Sequence, residues 1–314
     1  MAYGTGKYSY ELVDGWLKIP EGWSLPDVPS VTVDSQDRIY LFSRGTEHPI
    51  GIFDLECNLL TWWGGGHFSN AHAGCIGPDG CFYCADNGNH TVTKFDTEGK
   101  LLMTLGTKDQ PSDTGFVPGR SGGMRDGLAS ITGGPPFNRP TGVALSSTGE
   151  IYVSDGYGNC KVHKFSPDGK LLFSWGEPGT GPGQFMLSHS VWVDRQDRVW
   201  IGDRENSRIQ IFDAEGKFLS EWRDLWRPTA VWIDKDDIVY VSELDRRVSV
   251  WTIDGELLAR WDSPGGDDET ALLVAPHGIA VDSKGDIYVS EVCHSHNKFD
   301  QRGSRIVQKF ARVS

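Results

Sequence analysis

The 314-residue sequence predicts an all-β fold, a six-bladed β-propeller, and three observations carry that expectation. A unit of about 40 residues recurs along the chain, the period of propeller blades. The regular copies hold four short alternating segments separated by Gly, Asp or Asn turns, the pattern of a four-stranded antiparallel meander. The last copy stops one segment short, while an unmatched strand-like segment stands near the N-terminus.

Taken in order, Tyr8-Ser-Tyr-Glu-Leu-Val is the spare segment. A degraded first copy starts at Asp27 and a second at Asn70. The third is the most regular: Pro140-Thr-Gly-Val-Ala-Leu, Gly149-Glu-Ile-Tyr-Val-Ser-Asp155, Lys161-Val-His-Lys-Phe165, then Asp168-Gly-Lys-Leu-Leu-Phe-Ser-Trp175. Copies four to six start at Leu187, Arg227 and Ala275. Turns of the Asp-Gly or Glu-Gly type precede the fourth strand at Glu98, Asp168, Glu215 and Asp254. One domain over 1–314 follows, with blades near 27–68, 69–106, 137–185, 186–226, 227–263 and 274–314. Residues 8–16 are expected to supply the missing strand of the last blade and close the ring, which removes two open sheet edges. Two segments break the rhythm: Gly106 to Pro136, rich in Gly, Pro and Ser, and His294 to Gly303. Structureless loops of the first length are commonly lids, binding loops or disordered segments.

Composition narrows the function. A net charge of −13 repels a nucleic-acid backbone and an anionic membrane surface. Met1 to Tyr10 lacks a signal pattern, and no apolar run is long enough to span a bilayer, so the cytoplasm is the expected location. Of the cysteines 57, 75, 81, 84, 160 and 293, only Cys81 and Cys84 have ligand-like spacing. They flank Phe82-Tyr83 inside a strand-like run and have no second pair, so all six are expected to be free thiols.

The chemistry lies in one register. His72, His189 and His277 occupy the same position of every second copy, as in His189-Ser-Val-Trp-Val-Asp194 and His277-Gly-Ile-Ala-Val-Asp282. The intervening copies carry Pro29, Thr141 and Thr229 there. The first strand of a blade lines the propeller channel, so the three imidazoles are expected about 120° apart, facing one axis. Three neutral nitrogens with an open fourth position are the pattern of a catalytic zinc site. Zinc suits imidazole best, with iron, cobalt and nickel also open.

A second register, at the end of the second strand, reads Arg44, Asn87, Gly156, Arg204, Leu244 and Val292. Arg44, Arg204 and Asn87 are the candidate substrate-binding residues, and Tyr157 stands one position beyond Gly156. Two guanidiniums beside a cationic metal imply an anion between them, a substrate carboxylate or a tyrosinate. The preceding acids, Asp86, Asp155, Asp203, Glu243 and Glu291, recur by blade and read as structural hydrogen-bond acceptors.

These residues carry a resemblance. The chain resembles NHL-repeat propellers, specifically the peptidyl-α-hydroxyglycine α-amidating lyases, over nearly its whole length. The carrying segments are Leu41-Phe-Ser-Arg44-Gly, Ala71-His72-Ala, Val153-Ser-Asp-Gly-Tyr157, Ser188-His189-Ser, Asp203-Arg204-Glu-Asn-Ser-Arg-Ile-Gln-Ile-Phe212 and Pro276-His277-Gly. The resemblance implies one zinc ion on His72, His189 and His277. It implies Tyr157 as acid/base, with Arg44 close enough to favour its ionised form, and Arg204 near the substrate. The implied reaction splits the C–N bond of an N-acyl-α-hydroxyglycine into a primary amide and glyoxylate. Gly278 stands where the resembled family has an aspartate that helps hold structural calcium, which speaks against that ion. The implied partner is a small or short acyl-glycine-like substrate. Two other readings compete: a metal-dependent hydrolase such as a lactonase, and a non-catalytic interaction propeller.

Overall fold

The computed structural model describes residues 2–117, 131–263, 271–297 and 302–313. By contact the chain divides into two compact units, residues 1–67 with 229–314, and residues 68–228. Among the described residues, three large antiparallel sheets in each unit make the blades of a six-bladed β-propeller.

In the unit of residues 68–228 the sheets are Ala71–Ile76, Phe82–Asp86, Thr91–Phe95 and Leu101–Leu105; Gly142–Leu145, Ile151–Asp155, Lys161–Phe165 and Leu171–Trp175; and Ser188–Val193, Val199–Asp203, Arg208–Phe212 and Phe218–Trp222. Each is a meander in chain order. The second strand of every sheet here is buried at all its residues, and it lies mid-sheet, paired on both edges. Such strands read as nearly continuous apolar runs rather than alternating ones. The fourth strands are mostly exposed, as in Leu101–Leu105. Apolar layers between the sheets form the core. Tyr83, Val92, Phe137, Val143, Ile151 and Phe165 fill one layer, and Tyr152, Val162, Phe185, Val199, Ile201 and Phe212 fill the next.

The other unit holds Ser30–Val33, Ile39–Phe42, Ile50–Phe53 and Leu59–Trp63, then Pro228–Ile233, Ile238–Glu243, Arg247–Thr252 and Leu257–Asp262. Its last sheet contains Pro276–Val281, Ile287–Glu291 and Val307–Val313, and the N-terminal strand Tyr8–Val13 completes it as expected. The pairing runs from Ser9 opposite Val313 to Val13 opposite Lys309. Tyr8 and Tyr10 are buried with Tyr240, Trp261 and Phe310. A further strand, Ala2–Thr5, turns back on Tyr8–Val13 through Gly4 and Gly6, both at positive φ, so this sheet has five strands.

Of the long connection 106–136, residues 118–130 lie outside the described part. Its two described arms pack inward: Phe116 and Ile131 join Cys160, Leu187 and the ring of Tyr157 in one apolar cluster. The 294–303 insertion contains a short helix, Cys293–Asn297, and a 3-10 turn, Gly303–Ile306, while 298–301 are not described. All six cysteines are free, four of them buried.

Candidate metal centre

The residue after the histidine register is small in every copy: Ser30, Ala73, Gly142, Ser190, Ala230 and Gly278. A Cβ added at Gly142 would lie 2.6 Å from Ser154 Oγ and 3.1 Å from the Val191 nitrogen. At Gly278 it would lie 2.5 Å from Ser290 Oγ and 2.9 Å from the Val31 nitrogen. Neighbouring innermost strands within each unit thus approach backbone to backbone, and an aspartate at 278 would displace its neighbours.

All three histidines stand where strand pairing is irregular. The ladder steps from Ala71 to Ala73, from Ser188 to Ser190, and from Pro276 to Gly278, with a histidine at each step. A bulge re-aims the side chain of its extra residue, and bulges gather beside active sites.

Backbone carbonyls orient two of the imidazoles. His72 Nδ1 lies 2.5 Å from the carbonyl oxygen of Thr141, and His277 Nδ1 lies 2.7 Å from that of Pro29. A carbonyl only accepts, so Nδ1 donates in both. Thr141 and Pro29 are the register residues of copies without a histidine. In these two pairs one blade gives an imidazole and the next a carbonyl that orients it. The threonine hydroxyls work in the same direction. Thr141 Oγ1 donates to the Ser188 carbonyl at 2.6 Å, and Thr229 Oγ1 lies 3.0 Å from the Pro276 carbonyl. Each of those carbonyls immediately precedes a histidine.

Tyr157 is at the focus of the 68–228 unit. Its hydroxyl lies 3.1 Å from His72 Nε2 and 3.3 Å from His189 Nε2, and accepts from Arg204 Nη1 at 3.3 Å. The His72 and His189 rings are 4.8 Å apart between centroids. His72, His189 and His277 are 1%, 1% and 4% exposed. Buried imidazoles whose Nδ1 is held by a backbone carbonyl, as in His72 and His277, fit a metal ion of the zinc class, because second-shell Nδ1–H···O=C bonds of this kind accompany histidine ligation.

Arg204 begins a 3-10 turn, Arg204–Asn206, and donates from Nε to Glu205 at 2.9 Å. Arg227 donates to the same Glu205 oxygen at 2.7 Å. Burial works to raise the Glu205 carboxyl, but the two guanidiniums outweigh it and hold it below the ordinary glutamate range. Arg44 donates from Nη1 to Asp27 at 2.9 Å and to Ser295 at 2.6 Å, both within its own unit. Asn87 is buried and accepts from Asn70 Nδ2 at 2.6 Å.

Most of the recurring acids hold backbone, while Glu243 accepts from the Arg247 and Ser249 side chains. Asp86 accepts from the Ser69 and Asn70 nitrogens, Asp203 from Met186 and Leu187, and Glu291 from Val274 and Ala275. Each set leads directly into a histidine-bearing strand. Asp203 and Glu291 are pushed up by burial.

The 68–228 unit thus gathers His72, His189, Tyr157 and Arg204 at one point, while Arg44 and Asn87 are engaged with neighbours of their own. Glu205 and Arg139 were missed from the sequence. The Arg139 guanidinium lies 5.7 Å from the centre of the Tyr157 ring, comparable with 5.5 Å for Arg204. A signal existed: Arg139-Pro-Thr141 and Arg227-Pro-Thr229 repeat the same tripeptide in alternate copies.

The NHL-repeat family model matches residues 137–165 and 273–297. Human NHL repeat-containing protein 3 is 30% identical over 333 aligned residues, covering 100% of this chain and 87% of that protein. The chain belongs to the NHL-repeat family. This NHL-repeat protein is also 31% identical to a probable peptidyl-alpha-hydroxyglycine alpha-amidating lyase of Caenorhabditis elegans, over 52% of the chain and 43% of the relative. Among solved structures, a gluconolactonase from Xanthomonas campestris superposes with a TM-score of 0.63 at 12% identity, covering 99% of this chain and 95% of that one. That likeness shows the propeller fold alone. Among the described residues, no helix of the NHL-repeat protein is long and apolar enough to cross a membrane.

Proposed function

We propose that the protein is a zinc-dependent lyase acting on an α-hydroxy carboxylate of the hemiaminal type, as in N-acyl-α-hydroxyglycine to amide plus glyoxylate. The observation that carries this reading is the Tyr157 hydroxyl, set 3.1 and 3.3 Å from Nε2 of two buried histidines and 3.3 Å from Arg204. His72, His189 and His277 would hold the metal, and when bound it supplies Lewis-acid polarisation of the substrate's carbinol oxygen.

Tyr157 takes the carbinol proton as the oxygen lone pair forms the new carbonyl and the C–N bond breaks. The same proton then passes to the departing amide nitrogen, so the reaction consumes no water and leaves Tyr157 as it began. Arg204, oriented by Glu205, donates to the phenol oxygen and steadies negative charge there. Arg44 is proposed as a second anion-holding residue and Asn87 as a polar contact to substrate. Partial identity to an amidating lyase supports the reaction class.

The substrate is proposed to be a small or short acyl-glycine-like molecule, and the net charge of −13 makes a nucleic-acid partner unfavourable. Free thiols, four of them buried, suit a reducing compartment, and we place the protein in the cytoplasm. Glyoxylate release from α-hydroxyhippurate, followed with and without chelator, tests the reading. Release that stops on chelation and returns with zinc is expected, and no release from metal-replete protein would contradict it.

A further inference from the structure

Arg139 and Arg227 form a matched pair. Each precedes the same Pro-Thr dipeptide, and each sits in the left-handed region, at φ 64° and 53°. A non-glycine residue at positive φ is uncommon, and a residue before proline is further restricted. The shared backbone launches the two side chains alike, but their environments differ. Arg227 donates to Glu205 at 2.7 Å. Arg139 has no carboxylate partner among the described residues.

Its surroundings are instead aromatic. The guanidinium lies 5.9 Å from the centre of Phe116 and 5.7 Å from the centre of Tyr157. The backbone nitrogen of Arg139 donates to His90 Nδ1 at 3.1 Å. Burial and the charge of Arg139 hold His90 below the usual histidine range, and an imidazole is no counter-ion for a guanidinium. A half-buried guanidinium stacked on aromatic faces is stiffened by them, and its planar donor fork fits a carboxylate in two-point fashion. Leaving such a cation unpaired in a partly desolvated site is costly, and an incoming anion removes that cost.

We infer that Arg139 is the specificity-determining residue for the substrate's carboxylate, gripping it beside Tyr157 as Arg227 grips Glu205. This rests on the lyase reading for the identity of the substrate, and it makes an anionic group on the molecule a requirement for tight binding. Neutral analogues of the same skeleton are excluded by affinity.

The test is a binding titration with two unreactive probes, hippurate and its neutral amide hippuramide, on purified metal-replete protein. The wild type is expected to prefer hippurate. Arg139→Gln is expected to weaken hippurate by roughly tenfold or more, the range for a charge-assisted hydrogen bond, and to leave hippuramide unchanged. Arg139→Lys keeps the charge without the fork and is expected to fall between the two. Equal loss for both probes, equal hippurate affinity in all three proteins, or no wild-type preference for the carboxylate would each overturn the inference. Circular dichroism and metal content of both variants should match the wild type. If α-hydroxyhippurate is not turned over but the hippurate preference depends on Arg139, the reaction reading fails and the anion subsite stands. If α-hydroxyhippurate is turned over but the preference does not depend on Arg139, the reaction stands and the anion subsite fails.

Discussion

At the scale of single residues, the site depends on a phenol oxygen placed among groups that can exchange its proton. Removing that oxygen while keeping the ring separates chemistry from packing. Tyr157→Phe is expected to lower glyoxylate release by roughly a hundredfold or more, the usual worth of a positioned acid/base group, with metal content unchanged. A small effect on the rate would shift the proton transfer to another group. Glu205 gives a second prediction with a defined sign. Its carboxyl is held below the ordinary value of 4.5, so folding favours the ionised form. The stability it contributes is complete above about pH 4.5 and is lost as pH falls through the lowered folded value. Melting midpoints of wild type and Glu205→Gln should therefore differ at pH 7 and converge under acid conditions. A gap that stays constant would mean the carboxylate charge plays no part. Glu205 escaped the sequence because its second partner, Arg227, comes from the next copy, and Arg139 because its aromatic neighbours lie in other segments. Arg139 faces Phe116 from the 106–136 connection, and nothing periodic ties those two positions together.

At the scale of single strands, the histidine register was legible because a repeat exposes any residue type that recurs at one position. What the repeat concealed was the device that turns those side chains. A bulge depends on how one strand pairs with the next, and the pairing of Ser188 with Asp203 and Ser190 with Gly202 has no local signature. The orienting carbonyls were equally hidden, since any residue supplies a carbonyl and only the fold brings that of Thr141 to His72. The recurring acids were read correctly as hydrogen-bond acceptors, because an Asp or Glu at one turn position in most copies suits backbone capture. Close strand approach yields a further prediction. Gly278→Ala places a Cβ 2.9 Å from the Val31 nitrogen, an overpacking that typically costs about 1–3 kcal/mol. Denaturant unfolding should show the midpoint falling. An unchanged midpoint would mean that the innermost strands tolerate more space than their geometry allows.

At the scale of the whole chain, the fold class was the most legible feature. Four-strand units with their turn residues repeat often enough that errors in any one copy do not matter, and the missing last strand pointed to the N-terminus. The extra strand Ala2–Thr5 was not foreseen, since four residues with one glycine inside and another just after carry too little alternation to stand out. Removing residues 1–13 should unpair Val307–Val313 along one edge and expose Tyr240, Trp261 and Phe310. A lower melting temperature and self-association are expected, because an open, apolar strand edge is a template for pairing. Retention of wild-type stability and a single dispersed species would show that the last blade stands without its N-terminal strand.

The central claim is that three imidazoles from alternate blades hold a catalytic ion. Elemental analysis of the purified wild type beside His189→Ala addresses it most directly. One equivalent of zinc in the wild type, and almost none in the variant at equal folded content, is the predicted result. Stoichiometric calcium with no transition metal, or the same zinc content in both proteins, would contradict it.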